Sequence, residues 1–207
     1  MEINLPDGSS KALESGSNGY DLAKSIGPGL AKSAVAVTIN GIQKDLSDEL
    51  PDKASVSIIT IESEEGLQIM RHTLTAQVLA KAVKNLYADS KLAIGPTIEN
   101  GFYYDVSTKT PISIEDLPRI ENEMIRILEK KSNIIKTLHS EKDAKKLFKE
   151  RGESFKIEII DDADQTDNFQ IYTNNDADFI DLFSIPTTTS PAAAPKGAIS
   201  VSTYLAP

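Results

Sequence analysis

The chain carries two histidines, His72 and His139, and no cysteine in 207 residues. Imidazole is the side chain whose ordinary pKa lies nearest neutrality, so a histidine is the first place to look for a general base. Without cysteine there is no thiol nucleophile and no thiolate metal ligand. His72 opens the run His72-Thr73-Leu74-Thr75-Ala76, and at helical spacing His72, Ala76, Leu79 and Val83 share one face. A residue four positions after His72 would therefore work on the same surface. Taken by itself, a histidine on a partly apolar face is more often packed in a core than catalytic. His139 stands among polar residues and reads as solvated.

The element that must position His72 is a helix. Leu67, Met70, Leu74, Val78, Ala82 and Leu86 recur three and four apart, which predicts about five turns with one stripe facing a core. Before it, short apolar runs alternate with turn chemistry. Ile3 and Leu5 lead into Pro6-Asp7-Gly8, Asn40-Gly41 separates Val35–Ile39 from Ile42–Leu46, and Ala54–Ile61 alternates as a last strand. Tyr20–Ile26 has helical spacing and stops at Gly27-Pro28-Gly29. Hairpin, helix, hairpin, strand is the order of a ubiquitin-like β-grasp. After the acidic joint Glu62–Gly66 come an aromatic-rich hairpin over Lys91–Val106, amphipathic helices over Glu115–Ser132 and Ser140–Glu150, and β segments over Phe155–Ile160 and Asp178–Leu182. The fold class is α+β, with units at 1–62 and 66–182 and a divergent tail at 183–207. From Phe183 onward Lys196 is the one charged residue among prolines, threonines and alanines, so the tail reads as a loop, with Ala198–Leu205 able to add an edge strand.

Composition narrows the function class. With 40% apolar residues the chain can bury a real core, and no apolar run approaches the roughly 20 residues that span a bilayer. The N-terminus lacks the basic start and apolar stretch of a secretory signal, so the expected compartment is the cytoplasm, with no membrane partner. A net charge of −9 argues against gripping nucleic acid by bulk positive potential. Any RNA contact is expected to be local, weak and salt-dependent.

Several stretches together resemble threonyl-tRNA synthetase. Asp21–Lys32 and Val37-Thr38-Ile39-Asn40-Gly41 look like its N-terminal TGS domain. Arg71-His72-Thr73 with Ala80–Tyr87 looks like the first helix of its editing domain, and Lys91–Val106 is similar to that domain's most distinctive hairpin. Arg151–Lys156 and Asp178–Leu182 complete the series in the same order. The resemblance implies a β-grasp TGS domain followed by a threonyl/alanyl-tRNA synthetase editing-type domain, and hydrolysis of the ester in seryl-tRNA(Thr). A missing methyl weakens pocket binding by only about 1 to 3 kcal/mol, so a second, smaller sieve is needed. The class II core that joins threonine to tRNA would need several hundred further residues, so the expectation is no synthesis by this chain.

The family's editing helix carries His-x-x-x-His and a later segment carries Cys-x-x-x-His. Here Ala76, Phe183 and Thr187 stand at three of those four positions. The survivors that the resemblance implies for the site are His72, Tyr104, Lys156 and Asp181, with His72 as base and Lys156 steadying an oxyanion. Each also has a plain structural reading: Tyr104 capping its hairpin, and Lys156 with Asp181 as a surface ion pair worth under about 1 kcal/mol. One histidine and one carboxylate fall short of a zinc ligand set, so no metal and no cofactor are expected. Phe183 is expected to crowd the substrate space and Pro186 to stiffen the chain beyond it. The partner implied is the acceptor end of tRNA(Thr), bound weakly by a monomer. Impaired hydrolysis, a working hydrolase on a reduced site, and a non-catalytic module binding RNA, a nucleotide or a protein through the TGS domain remain the three readings.

Overall fold

The computed structural model describes residues 1–93, 95, 97–98, 101–174 and 179–183. Its first lobe follows from turn chemistry. β1 (Glu2–Asn4) and β2 (Ser10–Ala12) pair antiparallel around Asp7, whose Oδ1 accepts the Ser9 N–H at 2.9 Å. β3 (Ala34–Ile39) turns into β4 (Ile42–Lys44) through Asn40 and Gly41, both at positive φ (50° and 83°), the conformation that a two-residue hairpin turn requires. β5 (Val56–Thr60) pairs with the other edge of β3. A parallel bridge between Asn4 and Ser55, with Asn4 N–H donating to Ala54 O at 2.9 Å, joins the two sheets in the order β2-β1-β5-β3-β4. Across this sheet lies α1 (Gly19–Ile26), started by an Asn18/Asp21 capping box that satisfies N–H groups the helix leaves open. Leu22 and Ala23 pack with Ile3, Val37, Leu46 and Leu50 to form the lobe's own core. This is the β-grasp that the turn pattern predicts, with one departure. Gly27-Pro28-Gly29 ends α1 but does not end helix, because Pro28 at the first position starts α2 (Pro28–Ser33).

Ser63 caps α3 (Glu64–Thr73) by accepting the Gly66 N–H at 3.0 Å. The helix does not run on as regular α. Leu74–Leu79 is a π-helical segment, where the Ala80 N–H reaches back five residues to Thr75 O, before α4 (Ala80–Leu86) resumes. Its apolar stripe of Ile69, Met70, Leu74, Val78 and Ala82 packs against Ile120, Met124 and Ile127 of α5 (Leu117–Glu129), and against Val35, Ala36 and Ile59 of the first lobe. The largest buried cluster therefore crosses the 62–66 joint.

The remaining elements frame the site. β6 (Lys91–Leu92) pairs with β9 (Val106–Ser107), and β7 (Thr97–Ile98) with β8 (Gly101–Phe102), as nested rungs of the expected hairpin. Beyond α5, β10 (Ile134–His139), β11 (Phe169–Asn174) and β12 (Ile180–Phe183) form an antiparallel sheet in that order. α6 (Glu141–Glu150) and α7 (Ser154–Asp161) cover one of its faces, through Phe148 and Ile160 against Phe169, Ile171 and Ile180. Phe155–Ile160, expected as a strand, is thus helical. Its apolar side chains alternate as in a strand, but the surface it has to cover is the α6 and β11 face. β12 matches the expected segment at Asp178–Leu182 in part, while Asp178, Thr187, Pro186 and the rest of the tail, including Ala198–Leu205, lie outside the described residues, as does the side chain of Phe183. Among the described residues no helix is long and apolar enough to cross a membrane.

Candidate functional site

Three of the four site residues expected from sequence converge on one buried cluster. Asp181 sits in β12 with no exposed surface, and its Oδ1 accepts the Leu182 N–H at 2.8 Å. The same oxygen lies 2.6 Å from Lys156 Nζ, which α7 delivers from its first turn, and both side chains are almost fully enclosed. Tyr104 follows β8 in the hairpin and donates its hydroxyl to Asp181 Oδ2 at 3.0 Å. The Lys156 ammonium also donates to Tyr104 Oη at 3.2 Å and to the Ala93 carbonyl at 3.1 Å. Neither plain reading of these residues survives. The Lys156–Asp181 pair is interior, where a partner's loss leaves a stranded charge, and Tyr104 spans elements instead of capping its own hairpin.

Burial pushes the Tyr104 phenol far above the usual tyrosine value, and the neighbouring Asp181 carboxylate adds to the rise. Its ring is seated by Gly95, where a Cβ would lie 2.4 Å from Tyr104 Cδ2 and 2.9 Å from Thr75 Cγ2. The hairpin is thereby pressed onto the π segment one residue before Ala76.

His72 lies half-buried near the end of α3. Burial, reinforced by the Lys156 charge, lowers its pKa from 6.5 to about 4. Burial first, and the Lys156 charge second, therefore keep this imidazole neutral well below pH 7. His139 is half-buried rather than solvated, with Thr137 Oγ1 2.9 Å from Nε2, and it stands at the end of β10.

Two features escaped the sequence. A π turn holds more residues than an α turn, so one turn beyond His72 the helix presents Ala76 and Gln77 together, rather than Ala76 alone. Gln77 is 1% exposed, and among the described residues neither atom of its carboxamide has a hydrogen-bond partner. Its only sequence signal is a lone glutamine within an apolar run. The second is Glu153, buried just before α7 and paired with Lys84; the Glu153 carboxylate adds to the rise of the Tyr104 phenol. Among the described residues no group of three His, Asp or Glu side chains could hold a metal ion.

Residues 1–60 match the TGS domain family. Over 172 residues, 83% of its length, the chain is 43% identical to threonine–tRNA ligase 1 of Bacillus subtilis and 42% identical to threonine–tRNA ligase of Bacillus velezensis. The same span is 40% identical to threonine–tRNA ligase of Bartonella bacilliformis. The chain is a homologue of the N-terminal region of threonine–tRNA ligases. It spans about a quarter of the length of these relatives, 26 to 27%. The homologous region comprises the TGS domain and the editing-domain region.

Proposed function

We propose that this chain is an editing-type module in which hydrolysis of seryl-tRNA(Thr) is lost or much reduced, and which contacts the acceptor end of tRNA(Thr) weakly. One observation carries the proposal: the Lys156 ammonium spends its three protons on Asp181, Tyr104 and Ala93. Ester hydrolysis needs a donor aimed at the oxygen where negative charge develops, and an ammonium has three donors in all. With all three committed inside the protein, Lys156 has none left for an oxyanion. His72 weakens the other half of the chemistry, since an imidazole with a pKa of about 4 accepts a proton from water poorly at pH 7. The scaffold is retained while the reacting groups are turned inward. By descent the division falls between residues 1–62 and 66–182, and the shared core makes them one packed body.

The test is deacylation of preformed seryl-tRNA(Thr) by the purified chain, beside His72→Ala, Ala76→His and Gln77→His variants. A rate equal to the no-protein blank, raised by one of the histidine insertions, supports a lapsed editing module. A wild-type rate above the blank that His72→Ala abolishes overturns it in favour of a working hydrolase. A blank rate that neither insertion raises favours a binding module acting through the TGS domain.

A further inference from the structure

One row of residues crosses the β10-β11-β12 sheet. Lys136 stands directly opposite Tyr172, and Tyr172 stands directly opposite Asp181. Residues directly opposite in antiparallel strands project to the same face. Alternation puts that face away from the one that Phe169 and Ile171 present to α6 and α7. At one end of the row Asp181 holds Lys156 and Tyr104. At the other, Lys136 Nζ lies 2.7 Å from Asp45 Oδ2, and the Tyr172 hydroxyl donates to the same oxygen at 2.8 Å. Asp45 belongs to the first lobe, 127 residues away from Tyr172 in the chain, and is 1% exposed.

We propose that Asp45 is a positioning residue for the Lys156–Asp181–Tyr104 cluster, acting through Lys136 and Tyr172, so that the β-grasp lobe holds the site together. Asp45 is itself held rigidly. Its N–H donates to Asp48 Oδ2 at 3.0 Å, and the Asp48 N–H donates back to Asp45 O at 3.1 Å. Leu46 and Leu50 of the same turn are buried in the lobe core. Asp48 also pairs with Lys136, so two lobe carboxylates meet one sheet lysine. On the sheet side the need is plain: β12 is a four-residue edge strand whose central carboxylate binds a cation and a phenol. Gln170 Oε1 also lies 3.0 Å from the Tyr172 hydroxyl, which helps fix the phenol on β11, one ladder step from Asp181. The path from lobe core to site runs from Asp45 through the Tyr172 hydroxyl and then across the β11–β12 ladder, where Tyr172 and Asp181 are paired residues.

The experiment is native-state hydrogen exchange, read by NMR on the full chain, for wild type, Asp45→Asn and Tyr172→Phe. Asp45→Asn keeps the shape and one acceptor but loses the charge. Both variants should lose protection at the Leu182 amide and its β11 partners about tenfold more than at α5 amides such as Met124. The Lys156 ammonium resonance should broaden or shift in both, which a general loss of stability would not produce. The double variant should add little to the worse single one, since both act through one contact. Equal loss of protection in β12 and α5, or an unmoved Lys156 signal, overturns the proposal. In wild type the β12 amides should open together with β3 of the lobe as denaturant is added. Independent opening overturns it without recourse to any variant.

Discussion

Lys156 Nζ and Asp181 Oδ1 meet at 2.6 Å with 6% and 1% of their side chains exposed. Two charges so enclosed gain from each other but each lost its water, so the pair's net contribution is small while the loss of either partner is costly. That asymmetry favours keeping both partners on folding grounds alone, whether or not the cluster does chemistry. Lys156 and Asp181 constrain each other's retention through folding, whatever the module does with RNA.

Asp181→Ala should accordingly destabilise the fold by about 3 to 5 kcal/mol, because it strands a buried ammonium. The double variant Lys156→Met with Asp181→Leu should cost much less than the sum of the single changes. Urea denaturation of the four species closes the cycle. Equal and additive costs would show that the two groups do not act as a pair.

His72 predicts an acid-side slope in stability. Its folded pKa of about 4 lies below the 6.5 of the unfolded chain, so between these values the unfolded state binds more protons and folding weakens as pH falls. Stability from this group is fully present above pH 6.5, declines through the window, and changes no further below about 4. The total is at most about 3 kcal/mol at 1.36 kcal/mol per pKa unit, less what partial exposure screens. Stability measured between pH 7.5 and 5 in wild type and His72→Gln isolates it from the carboxylates. The slope should be shallower in the variant, and an NMR titration should show the His72 ring uncharged at pH 6.

What could be read from sequence tracks the strength of the local signals. The lobe announced itself because Asn40-Gly41 and Asp7-Gly8 fix turns that need no tertiary partner. α5 and α6 declared themselves by period. Phe155–Ile160 misled because its apolar side chains alternate, and only packing of Ile157 and Ile160 against α6 and β11 decides for helix. β10 and β11 carried no hairpin signal, since two helices separate these paired strands and the pairing is non-local. The π segment was invisible for a different reason: an added residue in a turn leaves the apolar stripe of Leu74, Val78 and Ala82 intact. The site residues came from family resemblance. Their convergence is geometry that no spacing in the sequence encodes.

Gln77 should prove a cost to stability. A buried carboxamide with neither atom bonded among the described residues forfeits its hydration without replacement, on the order of 1 to 3 kcal/mol. Gln77→Met has similar length and no such need, so it should raise the melting temperature by several degrees for a chain of this size. A fall in melting temperature would mean that the amide is used in the folded state.

Gly95→Ala should dismantle the cluster from its hydrophobic side. An alanine Cβ would meet Tyr104 Cδ2 at 2.4 Å and Thr75 Cγ2 at 2.9 Å, both inside van der Waals contact. Thr75 cannot retreat easily, because its hydroxyl donates to Arg71 O at 2.7 Å and its carbonyl accepts the Ala80 N–H that closes the π turn. The ring of Tyr104 must therefore move, and moving it lengthens the hydroxyl's bond to Asp181. Overpacking of this kind costs about 1 to 3 kcal/mol. The sharper readout is alkaline titration followed by ultraviolet absorbance. In wild type Tyr104 resists ionisation well past the ordinary tyrosine value of about 10, because it is buried and faces a carboxylate. In Gly95→Ala one more tyrosine should ionise near that value, while Gly95→Ser should behave the same way by the same clash. An unchanged titration with lowered stability would place the accommodation in the hairpin backbone and leave the contact between Tyr104 and Asp181 intact.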